Sequence, residues 1–270
     1  MRNLFEISGK VAVVTGAYGT LASAISRYLA SQGCRMVLLG RSREKGQALL
    51  DSIKAEGGEA IFVESDVLDA EGLERALEIT LNKYGTVDVL LNAAGGNMAA
   101  ANVQPNQSLE DLDVDAMRKV VDLNIFGTVM PTKVFLRPMI EKKSGVVVNF
   151  CSMSSFRPLT RVAGYGIAKA GIASWTEWLA GELATKYGDG LRVNGIAPGF
   201  LLGEQNRALL INPDGSLTAR SEKIIGHTPF GRFLEADELL GCIHYLISDA
   251  SKGVTGTVSV VDGGFNSFSI

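Results

Sequence analysis

The chain has 270 residues, 46% of them hydrophobic and 20% charged, and a formal net charge of −3. This length suits one large α/β domain or two small ones, either with a substantial core, and the composition is that of an ordinary globular protein. The acidic balance leaves no basic surface to neutralise phosphates along nucleic acid, so no nucleic-acid partner is expected.

The chain begins MRNLFEISGKVAVVTG, where polar and charged residues interrupt every apolar stretch. No signal peptide is expected, and no run approaches the roughly 18 apolar residues of a membrane span. The expectation is a cytoplasmic protein that does not enter the membrane. From there short β-branched runs alternate with longer helical patterns. Strands are predicted at 11–15, 35–39, 60–64, 87–92, 146–150, 192–197 and 258–261. Helices are predicted at 21–32, 44–56, 70–84, 114–142, 164–187 and 236–248. Several strands are apolar on both faces, as in a parallel sheet covered by helices on each side. The fold class expected is therefore α/β, a single-domain Rossmann-type doubly wound parallel sheet of about seven strands, in the order 3-2-1-4-5-6-7 of such folds with helices on both faces, spanning 1–270. One segment, 199–234, shows neither period. It carries the turn signal Asn212-Pro213-Asp214-Gly215 and reads as a substrate loop or lid.

Cys34, Cys151 and Cys242 are far apart and odd in number, a pattern of buried thiols in a reducing compartment rather than of zinc or disulfides. His227 and His244 are too few for a His-rich site, and no metal is expected.

The first strand ends in Thr15-Gly16 and runs through Tyr18, Gly19, Thr20 and Leu21 into a helix. Backbone N–H groups at such a helix start bind pyrophosphate, and glycine lets the backbone approach it closely. The G-x-G-x-x-G spacing is absent. Asp66-Val67 follows the third strand and Asn92-Ala93-Ala94-Gly95 the fourth, which places polar or small residues on the carboxyl edge where open α/β sheets bind ligands.

The sharpest pattern is Tyr165-Gly166-Ile167-Ala168-Lys169, with Ser152 upstream. A helix puts Tyr165 and Lys169 on one face, and Ser152 follows the strand at 146–150. A phenol with a pKa near 10 is a poor catalyst at neutral pH. A neighbouring ammonium favours the phenolate, so Tyr165 is expected to exchange a proton with a carbonyl or alcohol while a cofactor exchanges hydride.

With these residues the chain resembles the short-chain dehydrogenase/reductase family over essentially its whole length. Thr15-Gly16 resembles the start of T-G-x-x-x-G-x-G, Asp66-Val67 the adenine-contacting pair, and Asn92-Ala93-Ala94-Gly95 the N-N-A-G segment. Asn124 matches the family's helix asparagine, which holds a proton-relay water. Ser152, Tyr165 and Lys169 match the rest of the catalytic tetrad. Asn194 with Pro198-Gly199, and Val261-Asp262-Gly263-Gly264, match its later motifs. The resemblance implies that Tyr165 is the general acid in reduction, that Lys169 holds the nicotinamide ribose, and that Ser152 binds the substrate oxygen. It implies a homotetramer or homodimer. Two positions depart: the loop's second and third glycines fall on Thr20 and Ala22, and Gly203 stands where the family often has a threonine.

No carboxylate lies near Gly40 to bind a ribose 2′-OH, whereas Arg41 and Arg43 suit a 2′-phosphate, so NADP(H) is expected ahead of NAD(H). The segments around 198–207, 214–218 and 227–229 resemble a sugar-acid branch whose members are D-mannonate oxidoreductases (fructuronate reductases). The implied substrate is a small polyhydroxy keto acid, with Asn97, Ser154, Arg161, Gln205, Asn206 and Arg207 as candidate partners. A gluconate 5-dehydrogenase or a 3-oxoacyl thioester reductase is the enzymatic alternative. A non-catalytic nucleotide sensor is the alternative of another class, motivated by the altered glycine loop.

Overall fold

The computed structural model describes residues 2–203 and 206–268. Seven parallel strands form one sheet: β1 (Val11–Thr15), β2 (Arg35–Gly40), β3 (Glu59–Glu64), β4 (Val89–Asn92), β5 (Gly145–Phe150), β6 (Leu191–Pro198) and β7 (Val258–Val261). Their order is β3-β2-β1-β4-β5-β6-β7, as the sequence predicts. The chain winds outward from β1 through β2 to β3, then returns to place β4 on the other side of β1. That reversal opens a crevice at the carboxyl ends of β1 and β4.

Alternation along the strands builds two apolar layers. Ala12, Val14, Met36, Leu38, Leu91 and Val148 pack with α1 (Thr20–Ser31), α2 (Arg43–Ala55) and α9 (Leu240–Ile247). Val11, Val13, Val37, Leu39, Leu90 and Val147 pack with α3 (Ala70–Tyr84), α5 (Gly127–Glu141) and α6 (Ala163–Tyr187). Each fully buried side chain of this kind contributes about 1.5–3 kcal/mol, so period-two alternation fixes which way each strand faces.

Three elements differ from the sequence expectation. The helix predicted over 114–142 is two helices, α4 (Val114–Val121) and α5, joined by a π-helical turn at Asp122–Phe126. Asn124 Nδ2 donates to Val120 O, Thr128 Oγ1 to Asn124 O and Thr132 Oγ1 to Thr128 O. Such side-chain bonds one turn back compete with the backbone ladder, and Pro131 removes another N–H from it. Apolar periodicity runs straight through this break. The segment 199–234 contains α7 (Arg207–Leu210) and α8 (Ala219–His227). Thr218 caps α8, which has nine residues and buries Ser221 and Ile224, so one apolar side chain marks its inner face. The last predicted helix opens as a 3₁₀ turn, Ala236–Leu239, before α9.

A buried polar ladder underlies the crevice. Asn92 and Asn149 are register partners on β4 and β5. Asn92 Nδ2 donates to Asn149 Oδ1 at 2.9 Å and to Thr132 Oγ1 at 2.8 Å, and Asn149 Nδ2 donates to Thr176 Oγ1 at 2.9 Å. These bonds tie the ends of β4 and β5 to α5 on one side and α6 on the other.

Candidate active site

The crevice widens into a cleft of about 560 Å³. The turn after β1 forms its floor. Gly16 has φ +62°, and a Cβ there would lie 2.8 Å from Ala94 Cα. Only glycine permits that backbone and that approach. Ala94 N–H in turn donates to Thr15 Oγ1 at 3.0 Å, locking the ends of β1 and β4 together. Gly19 is the N-cap residue of α1, which has no side-chain cap and no acidic residue in its first turn. By contrast α2, α3 and α4 each have both. The free N–H groups of α1 therefore point into the cleft and suit a pyrophosphate. Thr20 opens α1 with its hydroxyl beside Gly203, and Ala22 is buried against the core. The two departures from the family pattern thus meet: the hydroxyl sits on the glycine loop and the small residue on the segment after β6.

Tyr18 closes one end. Its phenol oxygen accepts from the N–H groups of Arg41 (3.1 Å) and Ser42 (3.0 Å), and its ring occupies the space a side chain at Gly40 would need. Arg41 lines this end, 3.8 Å from Asp66, whereas Arg43 does not line the cleft. Val67, Ala93, Gly95, Pro198 and Gly199 also line it. Asn92 does not: its side chain turns down into the polar ladder, because register pairing with Asn149 points it away from the opening.

Ser152, Tyr165 and Lys169 converge on the middle of the cleft. Ser152 follows β5 and starts a short turn, and its Oγ accepts from Ser154 N–H at 3.2 Å. Tyr165 and Lys169 face it from the first turns of α6. Lys169 Nζ donates to Phe150 O at 2.7 Å and lies 5.5 Å from the centre of the Tyr165 ring. Burial pushes the Tyr165 phenol up, against a hydrogen bond from Ser152 that pulls it down. Burial lowers the Lys169 ammonium to about 8. Desolvation of both groups thus opposes the phenolate that their spacing alone suggests, and the Ser152 contact is what favours it.

Asn124 does not line the cleft. It is fully buried in the π-helical turn, where Nδ2 donates to Gly96 O (2.7 Å) and Oδ1 accepts from Gly96 N–H (3.2 Å). This two-way clamp holds the Gly95–Gly96 backbone beside Lys169. A π-helical bulge next to a reactive group is a common location for such a device.

Beyond Tyr165 polar side chains of the cleft stand among apolar ones such as Met153, Leu159, Phe200 and Leu210. Asn97, Ser154 and Asn206 line it, with Asn97 Nδ2 donating to Asn102 Oδ1 and Asn206 Nδ2 to Leu201 O, each at 2.7 Å. Arg207 is exposed on α7 and Arg161 lies outside the lining. Gln205 falls outside the described residues. The sequence reading missed Gly40, Ser65 and Arg220, which line the cleft. The absence of a carboxylate after β2 drew attention to Gly40 without revealing that Tyr18 packs on it. Nothing in the pattern singles out Arg220.

A family model for the short chain dehydrogenases matches residues 10–211. The chain belongs to that family. It is an NAD(P)-dependent oxidoreductase of the short-chain type. The uncharacterized oxidoreductase UxuB of Bacillus subtilis (strain 168) is 43% identical over 273 residues, covering 98% of this chain and 97% of that protein. Among solved structures, a Haemophilus protein provisionally named D-mannonate oxidoreductase, with bound NAD, superposes with a TM-score of 0.92. It is 36% identical and the match covers 98% of this chain and 97% of that one. A gluconate 5-dehydrogenase from Burkholderia cenocepacia, in complex with NADP and tartrate, gives 0.86 at 28% identity, with 98% of each chain covered. Among the described residues no helix of this dehydrogenase is long and apolar enough to cross a membrane.

Proposed function

We propose that this short-chain dehydrogenase reduces the ketone of a sugar acid, with D-fructuronate/D-mannonate interconversion as its reaction and NADP(H) preferred over NAD(H). The observation that carries this reading is one cleft in which Ser152, Tyr165 and Lys169 stand beside a wall bearing Asn97, Ser154, Asn206 and a guanidinium. A polyhydroxy acid needs such partners, whereas an acyl chain would need an apolar wall. The names of the similar proteins point the same way. Arg41 at the end of β2, with no carboxylate after that strand, supports the 2′-phosphate.

The chain's own groups divide the work. A bound nicotinamide cofactor supplies the hydride. Gly16, Gly19, Thr20 and Leu21 hold its pyrophosphate at the start of α1, while Tyr18, Arg41, Asp66 and Val67 surround its adenosine. Ala93, Ala94, Gly95, Pro198 and Gly199 shape the slot between, and Asn92 supports it from below. Ser152 Oγ donates to the ketone oxygen and Tyr165 Oη delivers the proton that turns it into a hydroxyl. Lys169 favours the resulting phenolate, and Asn124 keeps the Gly95–Gly96 backbone in place beside it. The unit is one domain spanning 1–270, with 199–234 as its substrate lid, and acts in the cytoplasm. Phe126, Ile167 and Trp178 are large exposed apolar side chains on or beside α5 and α6, and a homotetramer or homodimer would cover them.

The test is turnover by the purified protein, followed by the absorbance of the reduced nicotinamide. NADPH and NADH are each offered with D-fructuronate, 5-ketogluconate and an acetoacetyl thioester. Rapid oxidation with D-fructuronate, faster with NADPH, is the expected result. Oxidation with 5-ketogluconate alone would move the assignment to gluconate chemistry, and oxidation with the thioester alone would end the sugar-acid reading.

A further inference from the structure

A sugar acid presents a carboxylate as well as a ketone, and the catalytic groups account only for the ketone. Arg220 lines the cleft from the first turn of α8. Its Nη1 donates to Thr160 Oγ1 at 3.1 Å, which ties the lid helix to the segment leading into α6. The next residue, Arg161, is held at φ 75° and its carbonyl accepts from Val103 N–H at 3.1 Å. A left-handed backbone is rarely kept by a residue other than glycine, asparagine or aspartate, and such outliers cluster at ligand clamps.

Arg161 directly follows Thr160, so its charge stands near the Arg220 guanidinium. Burial disfavours the charge on Arg220, and the Arg161 charge disfavours it further. Among the described residues no carboxylate forms an ion pair with either. The carboxylates that line the cleft lie elsewhere. Asp66 faces Arg41 at the end of β2, and Glu235 adjoins the 3₁₀ turn packed on α1. In the wall of the same cleft, Ser154 Oγ is buried with no hydrogen-bond partner. Ordinarily a buried hydroxyl finds a partner within the protein. Two like charges and an unpaired hydroxyl complement an anion rich in acceptor oxygens, and a guanidinium fork matches a carboxylate in two parallel bonds.

We infer that Arg220, assisted by Arg161, anchors the carboxylate of the substrate, and that Ser154 Oγ donates to an adjacent substrate oxygen. This inference rests on the sugar-acid reading above. It makes Arg220 a specificity-determining residue on α8.

The experiment is calorimetric titration of the enzyme–cofactor complex with D-mannonate, D-gluconate and the uncharged D-mannitol. It compares the native chain with Arg220→Gln, Arg220→Lys, Arg161→Gln and the exposed-site control Lys223→Gln. The native complex should bind D-mannonate at least tenfold more tightly than D-mannitol. Arg220→Gln should weaken the acids roughly 10- to 100-fold, the loss of hydrogen bonds to a charged group, and leave D-mannitol unchanged. Arg220→Lys should recover part of the loss, and Lys223→Gln should change nothing. Thermal melts confirm that each variant is folded. Acid affinity within twofold of native in Arg220→Gln would overturn the anchor while leaving the sugar-acid reading intact. Equal affinity of the native complex for acid and polyol would overturn both. Acid binding that depends on Arg220, in an enzyme that turns over no sugar acid, would keep the anchor and remove that reading.

Discussion

The cleft's two walls are built by different means. The strand-end wall, carrying Ser152, Tyr165 and Lys169, rests on the buried ladder of Asn92, Asn149, Thr132 and Thr176 and on the Asn124 clamp. Asn92, Asn149, Asn124 and Lys169 are each pinned there to a neighbouring strand, helix or loop. The lid wall is made of α7, α8 and two isolated bridges, Leu201 to Leu234 and Ile211 to Leu217. Few lid side chains enter the core, and much of its order comes from local bonds such as Asn206 Oδ1 accepting from Gly203 N–H and Asn212 Nδ2 donating to Leu217 O. Proton transfer needs groups held to fractions of an ångström, which the first wall provides. Substrate choice needs a surface that closes, and local order of low stability suits that role.

The division can be broken most sharply at its catalytic end. Tyr165→Phe removes the only phenol in the cleft centre and leaves the ring in place, so kcat should fall by about 10²–10⁴-fold. Cofactor binding, read by quenching of protein fluorescence, should be kept. Turnover surviving unchanged would remove Tyr165 as the acid, and a protein with no turnover in either form would revive the nucleotide-sensor alternative.

A smaller effect tests what supports the wall. Asn149→Leu takes one of two acceptors from Asn92 Nδ2, which keeps Thr132 Oγ1, and the donor from Thr176 Oγ1, which still donates to Ile172 O; both groups are buried. The second N–H of the Asn92 amide, left without an acceptor, costs about 1–3 kcal/mol, and the lost bond to Thr176 about 0.5–1.5 kcal/mol. Urea unfolding should therefore show a global loss of about 2–4 kcal/mol, together with a lower kcat. A loss below about 0.5 kcal/mol, the scale of an ordinary surface change, would mean the ladder is not what stiffens this wall.

The lid should respond differently. Thr218 caps α8, accepting from Ser221 N–H at 3.2 Å, and its hydroxyl donates to Leu209 O at 2.9 Å. Thr218→Ala should destabilise the lid by about 1 kcal/mol. Hydrogen exchange should speed up in α8 and the substrate KM should rise, while the global melting temperature stays nearly constant. A global fall of the kind expected for Asn149→Leu would show that both walls belong to one cooperative unit.

Much of this was legible in the residues themselves. The seven strands and their apolar faces follow from alternation and from the spacing of helical patterns, because core burial is the largest favourable term and it is written into the pattern; their order follows from the doubly wound architecture that this class of fold shares. The Tyr165–Lys169 spacing and the glycine turn after β1 are likewise local features, set by helix and turn geometry. Other features needed the chain to close on itself. Asn92 reads as a ligand contact at a strand end, yet pairing with Asn149 across the sheet turns its side chain inward. The π-helical turn at Asn124 is invisible to a period that continues through it. Burial of Tyr165 and Lys169, which reverses the simple expectation for the phenol, is a property of the packed site and of no single segment. Arg220 belongs with these. It lies 55 residues after Tyr165 on the short helix α8, and only the tertiary fold brings it to the cleft that Tyr165 lines. Local spacing determined the elements and the catalytic pair. Tertiary closure decided which charges meet, because desolvation and like-charge proximity depend on distances through space that a linear pattern does not contain.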